Sequence, residues 1–556
     1  MKTIPVSIRG QYVTRVGAFL IAAALVVGTV LVGMADYPGT HGVYNPYPSE
    51  NLEIRTWYDL DAVRYNLTGN YTLMNPLDST TAGYQELASE IANQGKGWQP
   101  IGTWEDPYRG NFDGRAWEIR DLFVNRPDEN LVGLFGIVGE GAVIENVGVW
   151  MAVVTGGRGV GGPVGRNWDA TVNSSYFATS VSSNSGIGGL VGYSRGTVVN
   201  CYFAGNVTGG ECVGGLVGQN CGPVSHCFAT GSVIGESCVG GLVGDNFDTV
   251  SNCFCAWGCT VVGEEAVGGL VGQNVYGTVT SSYFRGSVTG NSKVGGLMGT
   301  NIGTVSDSYS NANVIGYSRV GGLEGWNIGT TNNSYATGSV TGADAVGGLL
   351  GDNVYGTVGD SFWDIETSGQ ATSDGGVGKT TEEMKNIATF SSAGWSITAV
   401  GSAEAPNPAC IWNIIDEHMY PFLSWHIIGW PLPYPRGHIL PTQQTSTTPS
   451  GYLGLTVSPA EVCANIGEQI EIRCNINPLV DTPVEISSVD VLLFDSCDDM
   501  VREQRMTKDY PSFHTVYTIV GDEAYYRLKV NFTFPLGEPG EHSEYGVHSF
   551  RIVVKT

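Results

Sequence analysis

Eight of the twelve cysteines lie between Cys201 and Cys259, and Cys253-x-Cys255-x3-Cys259 is the tightest potential ligand cluster. Thiolates so spaced could hold a soft metal, but the pattern matches no common zinc arrangement. Carboxylates could work as an acid–base pair on a polysaccharide, which requires them to converge, often beside Arg or Lys. Asp245, Asp248, Glu264, Glu265, Asp307, Glu324 and Asp352 are instead scattered. His226 is the single histidine between residues 132 and 362, so neither a histidine-based triad nor a histidine metal site is expected there. Glu541-His542-Ser543-Glu544 and His548 lack the His-Glu-x-x-His spacing of a metalloprotease. Gly378-Lys379-Thr380 lacks the glycine that a phosphate loop needs five positions earlier, where Ser373 stands, and no calcium-binding glycine–aspartate nonapeptide occurs. No catalytic, cofactor or metal residue is assigned, and the chain reads as no enzyme and as needing no cofactor.

The elements that would position any such group come from a repeat. The phrase V-G-G-L-V-G and its variants begin at Val132, Val160, Ile187, Val213, Val239, Val267, Val294, Val320 and Val346, every 26 to 28 residues. A fixed period of this size marks a stack of one supersecondary unit, each covering its neighbour's apolar face. Columns follow when the units are aligned. One is leucine, from Leu190 to Leu349 with Pro163 as the exception; one is aromatic (Tyr176, Tyr202, Phe228, Phe254, Tyr283, Tyr309, Tyr335, Phe362); one is valine, from Val207 to Val340. The runs between glycines are too short for helices and rich in β-branched and aromatic residues, so they read as strands, three or so per unit. The expected fold is all-β: a right-handed parallel β-solenoid of about nine coils, roughly 40 Å of rod at the spacing of neighbouring strands. Glycine pairs such as Gly268-Gly269 would form its corners.

Two columns bear on function. Asn167, Asn220, Asn246, Asn274, Asn301, Asn327 and Asn353, with Ser194 in the gap, are either a row of ligand-binding amides or amides bonding one another and the turn backbone; the second is the ordinary use of asparagine. After the leucine come Val164, Val191, Val217, Val243, Val271, Met298, Glu324 and Leu350. Strand alternation places this column opposite leucine, and Glu324 implies contact with water, so Val271, Met298, Glu324 and Leu350 are binding candidates on an exposed stripe. If a glycine corner breaks the alternation, they are interior instead. Cys201, Cys227 and Cys253 stand where other coils have Ser282, Ser308, Ser334 and Ser361, and so read as small packing residues. Disulfides between coils cannot be deduced from the sequence.

A net charge of −26 excludes nucleic acid as a partner, because the phosphates would repel it. Residues 1–35 read as a signal peptide or an N-terminal membrane anchor. Lys2, Arg9 and Arg15 precede an apolar run from Val16 to Ala35, long enough to span a bilayer, and Gly33-Met34-Ala35 offers a cleavage site. Either outcome exports the bulk of the chain to the surface or medium, with membrane contact if the segment is kept. Residues 36–130 precede the repeats as an N-terminal cap, with short helices around Asp59–Asn66 and Glu86–Gln94, and residues 131–363 form the solenoid. Residues 364–430 are a C-terminal cap with a helix over Thr381–Ile387, capped by Thr380 or Thr381. Residues 431–451 are a Pro/Thr/Ser linker. Residues 452–556 carry alternating runs such as Gln469–Cys474 and Tyr526–Phe532, expected to build an immunoglobulin-like sandwich, although the Cys-Trp-Cys signature is absent.

From about Leu52 to Trp425 the chain resembles the GLUG-repeat family of exported surface proteins, some of them adhesin-like with filamentous-haemagglutinin-type β-helices. The G-G-L-x-G core of the repeats carries the likeness. So do Trp98-Gln99-Pro100-Ile101-Gly102 with Phe112-Asp113-Gly114, Ser361-Phe362-Trp363-Asp364, Gly378-Lys379-Thr380-Thr381-Glu382-Glu383-Met384 and Tyr420-Pro421-Phe422-Leu423-Ser424-Trp425. The resemblance implies a non-catalytic surface protein for adhesion or ligand display, its partner a cell-surface or extracellular protein or glycan. The alternatives are a carbohydrate-active β-helix enzyme and a purely structural envelope protein.

Overall fold

The structure is a computed structural model that describes residues 52–425 apart from residue 404, together with the backbones of strands between residues 444 and 555. The expected apolar segment of residues 16–35 lies outside the described residues.

Four parallel sheets run along the repeat region, so each coil has four strands rather than three. In one coil the chain passes through Glu211–Gly214 (sheet D), Val217–Asn220 (sheet C), Val224–Ser225 (sheet A) and Phe228–Ile234 (sheet B). Sheet C holds nine strands, from Phe135–Val138 to Leu350–Asn353, matching the nine sequence repeats. Like residues pair with like: Val213 with Val239, Val217 with Val243, Tyr202 with Phe228. The N-terminal segment extends this stack, because Leu52–Ile54, Tyr71–Leu73 and Asn111–Asp113 join sheet A and Glu118–Arg120 joins sheet B. Its helices are short, Trp57–Ala62 and Tyr84–Leu87, each followed by a stretch of 3-10 helix.

The repeat phrase is split between two strands, and its glycines serve space rather than left-handed conformation. Neither Gly268 nor Gly269 has a left-handed φ. A Cβ would lie 1.9 Å from the Val271 carbonyl oxygen in the first case and 2.1 Å from that of Gly296 in the second. A Cβ on Gly272 would sit 2.4 Å from the Cys238 carbonyl carbon. Sheets C and D therefore press backbone to backbone, which only glycine permits. Left-handed φ occurs instead in two other columns. Asn146, Asn200, His226, Asn252, Asp307, Asn333 and Asp360 make the turn from sheet A to sheet B, with short polar side chains that tolerate this region. His226 is thus a turn residue, as its neighbours in the column imply. The second column, before sheet D's valine, holds Cys212, Cys238, Ala266, Lys293, Arg319 and Ala345.

Inside the coil the leucine and valine columns are fully buried. Two polar ladders share that interior. Asn220, Asn246, Asn274, Asn301 and Asn327 each donate an Nδ2 hydrogen bond to the Oδ1 of the next amide at 2.8–3.1 Å. Self-bonding amides are thus the correct reading of that column. In the serine column Ser282, Ser308, Ser334 and Ser361 donate to the carbonyl two residues back at 2.7–2.8 Å. They also accept from the backbone of the preceding coil, as Ser308 Oγ does from the Ser282 amide at 3.2 Å. Cys201, Cys227 and Cys253 substitute the same bonds with sulfur at 3.1–3.2 Å to the carbonyl.

The aromatic column stands on the outside of sheet B, with neighbouring rings from Tyr176 to Tyr335 stacked at 4.8–5.1 Å. The C-terminal cap folds back over it. Trp395, Trp412 and Phe390 cover Tyr309, Tyr335 and Phe362, while Trp425 reaches Phe254 and Tyr283. Within the cap, Thr380 caps the helix Thr381–Met384 through a capping box with Glu383, a shorter helix than expected. Between Gln444 and Lys555 the strand backbones form sheets of five and six strands, antiparallel except for Glu461–Asn465 beside Phe550–Lys555.

Replacing Asn274 by Ala strands one Nδ2 hydrogen of Asn246 in the core and takes one of two donors from both Asn301 Oδ1 and the Gly277 carbonyl. At ~1–3 kcal/mol for each unsatisfied group, the variant should lose about 3 kcal/mol in chemical denaturation. An unchanged midpoint would show that the ladder contributes nothing.

Candidate functional site

The stripe proposed from alternation is not on the surface. Val271, Met298 and Leu350 are fully buried, and so is Glu324. The Gly-Leu corner falls between sheet D and sheet C, so leucine ends one turn and the next residue opens a strand already pointing inward. The glycine corner breaks the alternation, which corrects the exposed placement of all four.

Glu324 is consequently a carboxyl in a valine column. Thr331 Oγ1 donates to Oε1 at 2.7 Å and Asn301 Nδ2 approaches Oε2 at 3.5 Å. Burial pushes its pKa from the ordinary 4.5 up to about 7, the two hydrogen bonds opposing this only in part. Below pH 4.5 folded and unfolded chains both hold the proton; between 4.5 and 7 only the folded chain does. Stability should therefore fall as pH rises through that window and level off above it, by ~3 kcal/mol in all. Denaturation midpoints at pH 5 and pH 8 test this: Glu324→Gln should flatten the difference. An equal pH dependence in the variant would assign it elsewhere.

The column that does face outward from sheet C lies two residues further along: Arg166, Tyr193, Gln219, Asp245, Gln273, Thr300, Trp326 and Asp352. The left-handed column of sheet D reaches it from the preceding coil. Arg319 pairs with Asp352 at 2.9 Å, Lys293 lies 4.9 Å from the centre of the Trp326 ring, and Cys238 Sγ donates to Gln273 Oε1 at 3.1 Å. Asp245 keeps an Oδ1 with no hydrogen-bond partner, and burial pushes its pKa up to about 6.

At the N-terminal end of this face the sequence reading missed a cluster. Arg166 is held 5.1 Å from the centre of the Trp104 ring, 4.5 Å from Trp168 and 6.0 Å from Tyr193, while the two tryptophans meet edge to face at 5.2 Å. Arg195 lies on Trp168 and pairs with Asp169 at 3.2 Å. Among the described residues Arg166 pairs with no carboxylate, and its Nε is buried without a hydrogen bond. Trp104 is 58% exposed. An exposed indole beside an unpaired guanidinium can stack on the apolar face of a sugar and bond an anionic substituent. Only Arg166 lies in the repeat columns; Trp104 comes from a cap loop and Trp168 from a turn, so no periodicity links them.

The scattered acids stay apart. Asp245 and Asp352 stand in the outer column of sheet C, Glu265 pairs with Lys293 at 2.7 Å, and Asp307 accepts from Trp412 under the cap at 3.3 Å. Among the described residues no group of three or more His, Cys, Asp or Glu is placed to hold a metal, and no helix is long and apolar enough to cross a membrane. Cys253, Cys255 and Cys259 are buried.

A family model of the GLUG motif matches residues 263–289, one full coil of the stack. The chain carries the GLUG motif. The chain is similar to a "putative Gly-rich membrane protein" of Evansella cellulosilytica, 34% identical over 30% of this chain and 19% of that one. It is also similar to halomucin of Haloquadratum walsbyi, 30% identical over 30% of this chain and 2% of that one. The chain thus spans a small part of the length of either relative. No solved structure matches it.

Proposed function

We propose that this GLUG-repeat chain is a non-catalytic exported surface protein that displays ligand-binding surface on a rigid rod, and that its ligand is an anionic glycan. The names of its relatives, a membrane protein and halomucin, support a surface or membrane-associated setting. Residues 1–35 would export the chain or anchor it. The two sheets of residues 444–555, antiparallel but for one strand pair, would be an immunoglobulin-like second module.

The observation that carries the ligand class is Arg166. In a chain of net charge −26 it is a guanidinium without a carboxylate, fixed by Trp104, Trp168 and Tyr193 at the surface. Its fixed orientation lowers the entropy lost on binding, and uronate or sulfate groups suit its planar donors. The open face of Trp104 would take the sugar ring. Such a surface holds ligand and offers no paired acid and base for turnover.

A glycan array probed with the full chain should show binding to carboxylated or sulfated glycans. Arg166→Ala and Trp104→Ala should each weaken it by about tenfold or more, the effect of losing one charged contact or stacking platform, with unchanged circular dichroism. Equal binding by both variants would remove this site. Release of reducing ends from any bound glycan would favour the rival reading of a carbohydrate-active enzyme.

A further inference from the structure

The nine cysteines from Cys201 to Cys410 are all in thiol form, and they divide by environment. Cys201, Cys227, Cys253, Cys255 and Cys259 are buried, the first three tied into the serine-column ladder. Cys221 and Cys410 stand apart from the left-handed column, Cys221 exposed and Cys410 half-buried in the cap. Cys212 and Cys238 differ from all of these. They occupy one column on consecutive coils, half-buried at the outer surface where sheet D meets sheet C.

Their backbone is matched on both sides. Glu211 pairs with Ser237 and Val213 with Val239, so the two cysteines lie in register, and both adopt the left-handed conformation, with φ of 53° and 51°. Neighbouring strands in a sheet lie about 4.8 Å apart. A disulfide spans Cα separations of about 4.4–6.8 Å. The two half-buried thiols are therefore neighbours in one column of consecutive coils. The preceding position of the column is Gly186 and the following one is Ala266, so the pair is isolated and has no third thiol to compete.

We propose that Cys212 and Cys238 form a surface disulfide that staples the fourth coil of the solenoid to the fifth. The oxidant is an external low-molecular-weight disulfide. The neighbouring Cys238 thiol lowers the Cys212 pKa, which makes Cys212 the first nucleophile. Its thiolate attacks one sulfur of the external disulfide, forming a mixed disulfide and expelling one thiolate, which takes up a proton. Cys238 then gives up its proton, attacks Cys212 Sγ and expels the second external thiolate. Two protein thiols are oxidised, one external disulfide is reduced to two thiols, and no other reactant is needed. The buried thiols are excluded because the external disulfide cannot reach them. The staple closes a loop of one coil, restrains the unfolded chain, and pins the sheet C–sheet D seam next to Asp245 and Gln273.

The test uses the full chain, purified reduced and then incubated folded with oxidised glutathione, so its outcome does not depend on where the protein resides. Free thiols are alkylated and the chain is cleaved after Glu211 and Glu236, which separates the two cysteines. The expected product is a cross-linked pair of peptides, two hydrogens lighter than the reduced pair. It should be absent from Cys212→Ser and from Cys238→Ser and retained in Cys227→Ser. The oxidised chain should also melt higher than the reduced one, a difference lost in both surface variants. Alkylation of both thiols, stable glutathione adducts on either, or a cross-link that survives Cys212→Ser would each overturn the proposal.

Discussion

Close stacking of identical backbones at one strand spacing is the constraint on which the rest depends. Each coil hydrogen-bonds to the next through four parallel sheets, so any residue type that suits one coil tends to suit its neighbours. The repeat phrase is the strictest expression of this. At Gly268, Gly269 and Gly272 there is backbone where a Cβ would be, and the C and D sheets can approach only because nothing projects between them.

The same spacing lets polar groups enter the core safely. An amide at 4.8 Å from an identical amide can donate to it without leaving its own turn, and each further coil satisfies the one before. The hydroxyl column works through a second geometry, bridging its own carbonyl and the preceding coil's amide, and a thiol can take its place. Glu324 shows the limit. A lone carboxyl in an apolar column has no like neighbour, finds only Thr331 and a long contact to Asn301, and is held toward its neutral form.

The outer faces differ because different things cover them. The aromatic ladder of sheet B is paired with the tryptophans of the C-terminal cap, which makes it a core rather than a binding surface over Tyr283 to Phe362. Sheet C carries the varied column, where Gln219, Asp245, Gln273 and Thr300 follow one another and no two adjacent coils present the same residue. Stacking demands uniformity inside and tolerates diversity there, so that face is where a rod of near-identical units can acquire specificity. The Arg166 cluster sits at its end, where the cap loop bearing Trp104 meets the first coils.

By itself the sequence determined the period, the number of coils, the amide ladder and the small-residue column, because each is a property of one position repeated and stacking turns repetition directly into contact. It also pointed to the cap helix that opens after Thr380, one of its two N-cap candidates, because capping is a local hydrogen-bond pattern. Tertiary structure decided which side of the wall a column faces. Leu270 and Val271 are adjacent, and simple alternation sends them to opposite faces; the corner between them sends both inward, and that corner exists only once sheet D has packed on sheet C. It also decided what meets across distance. Trp104, Arg166 and Trp168 come from a cap loop, a strand and a turn. Their meeting has no local signature, since it is fixed by how separate segments pack rather than by any residue's own preference.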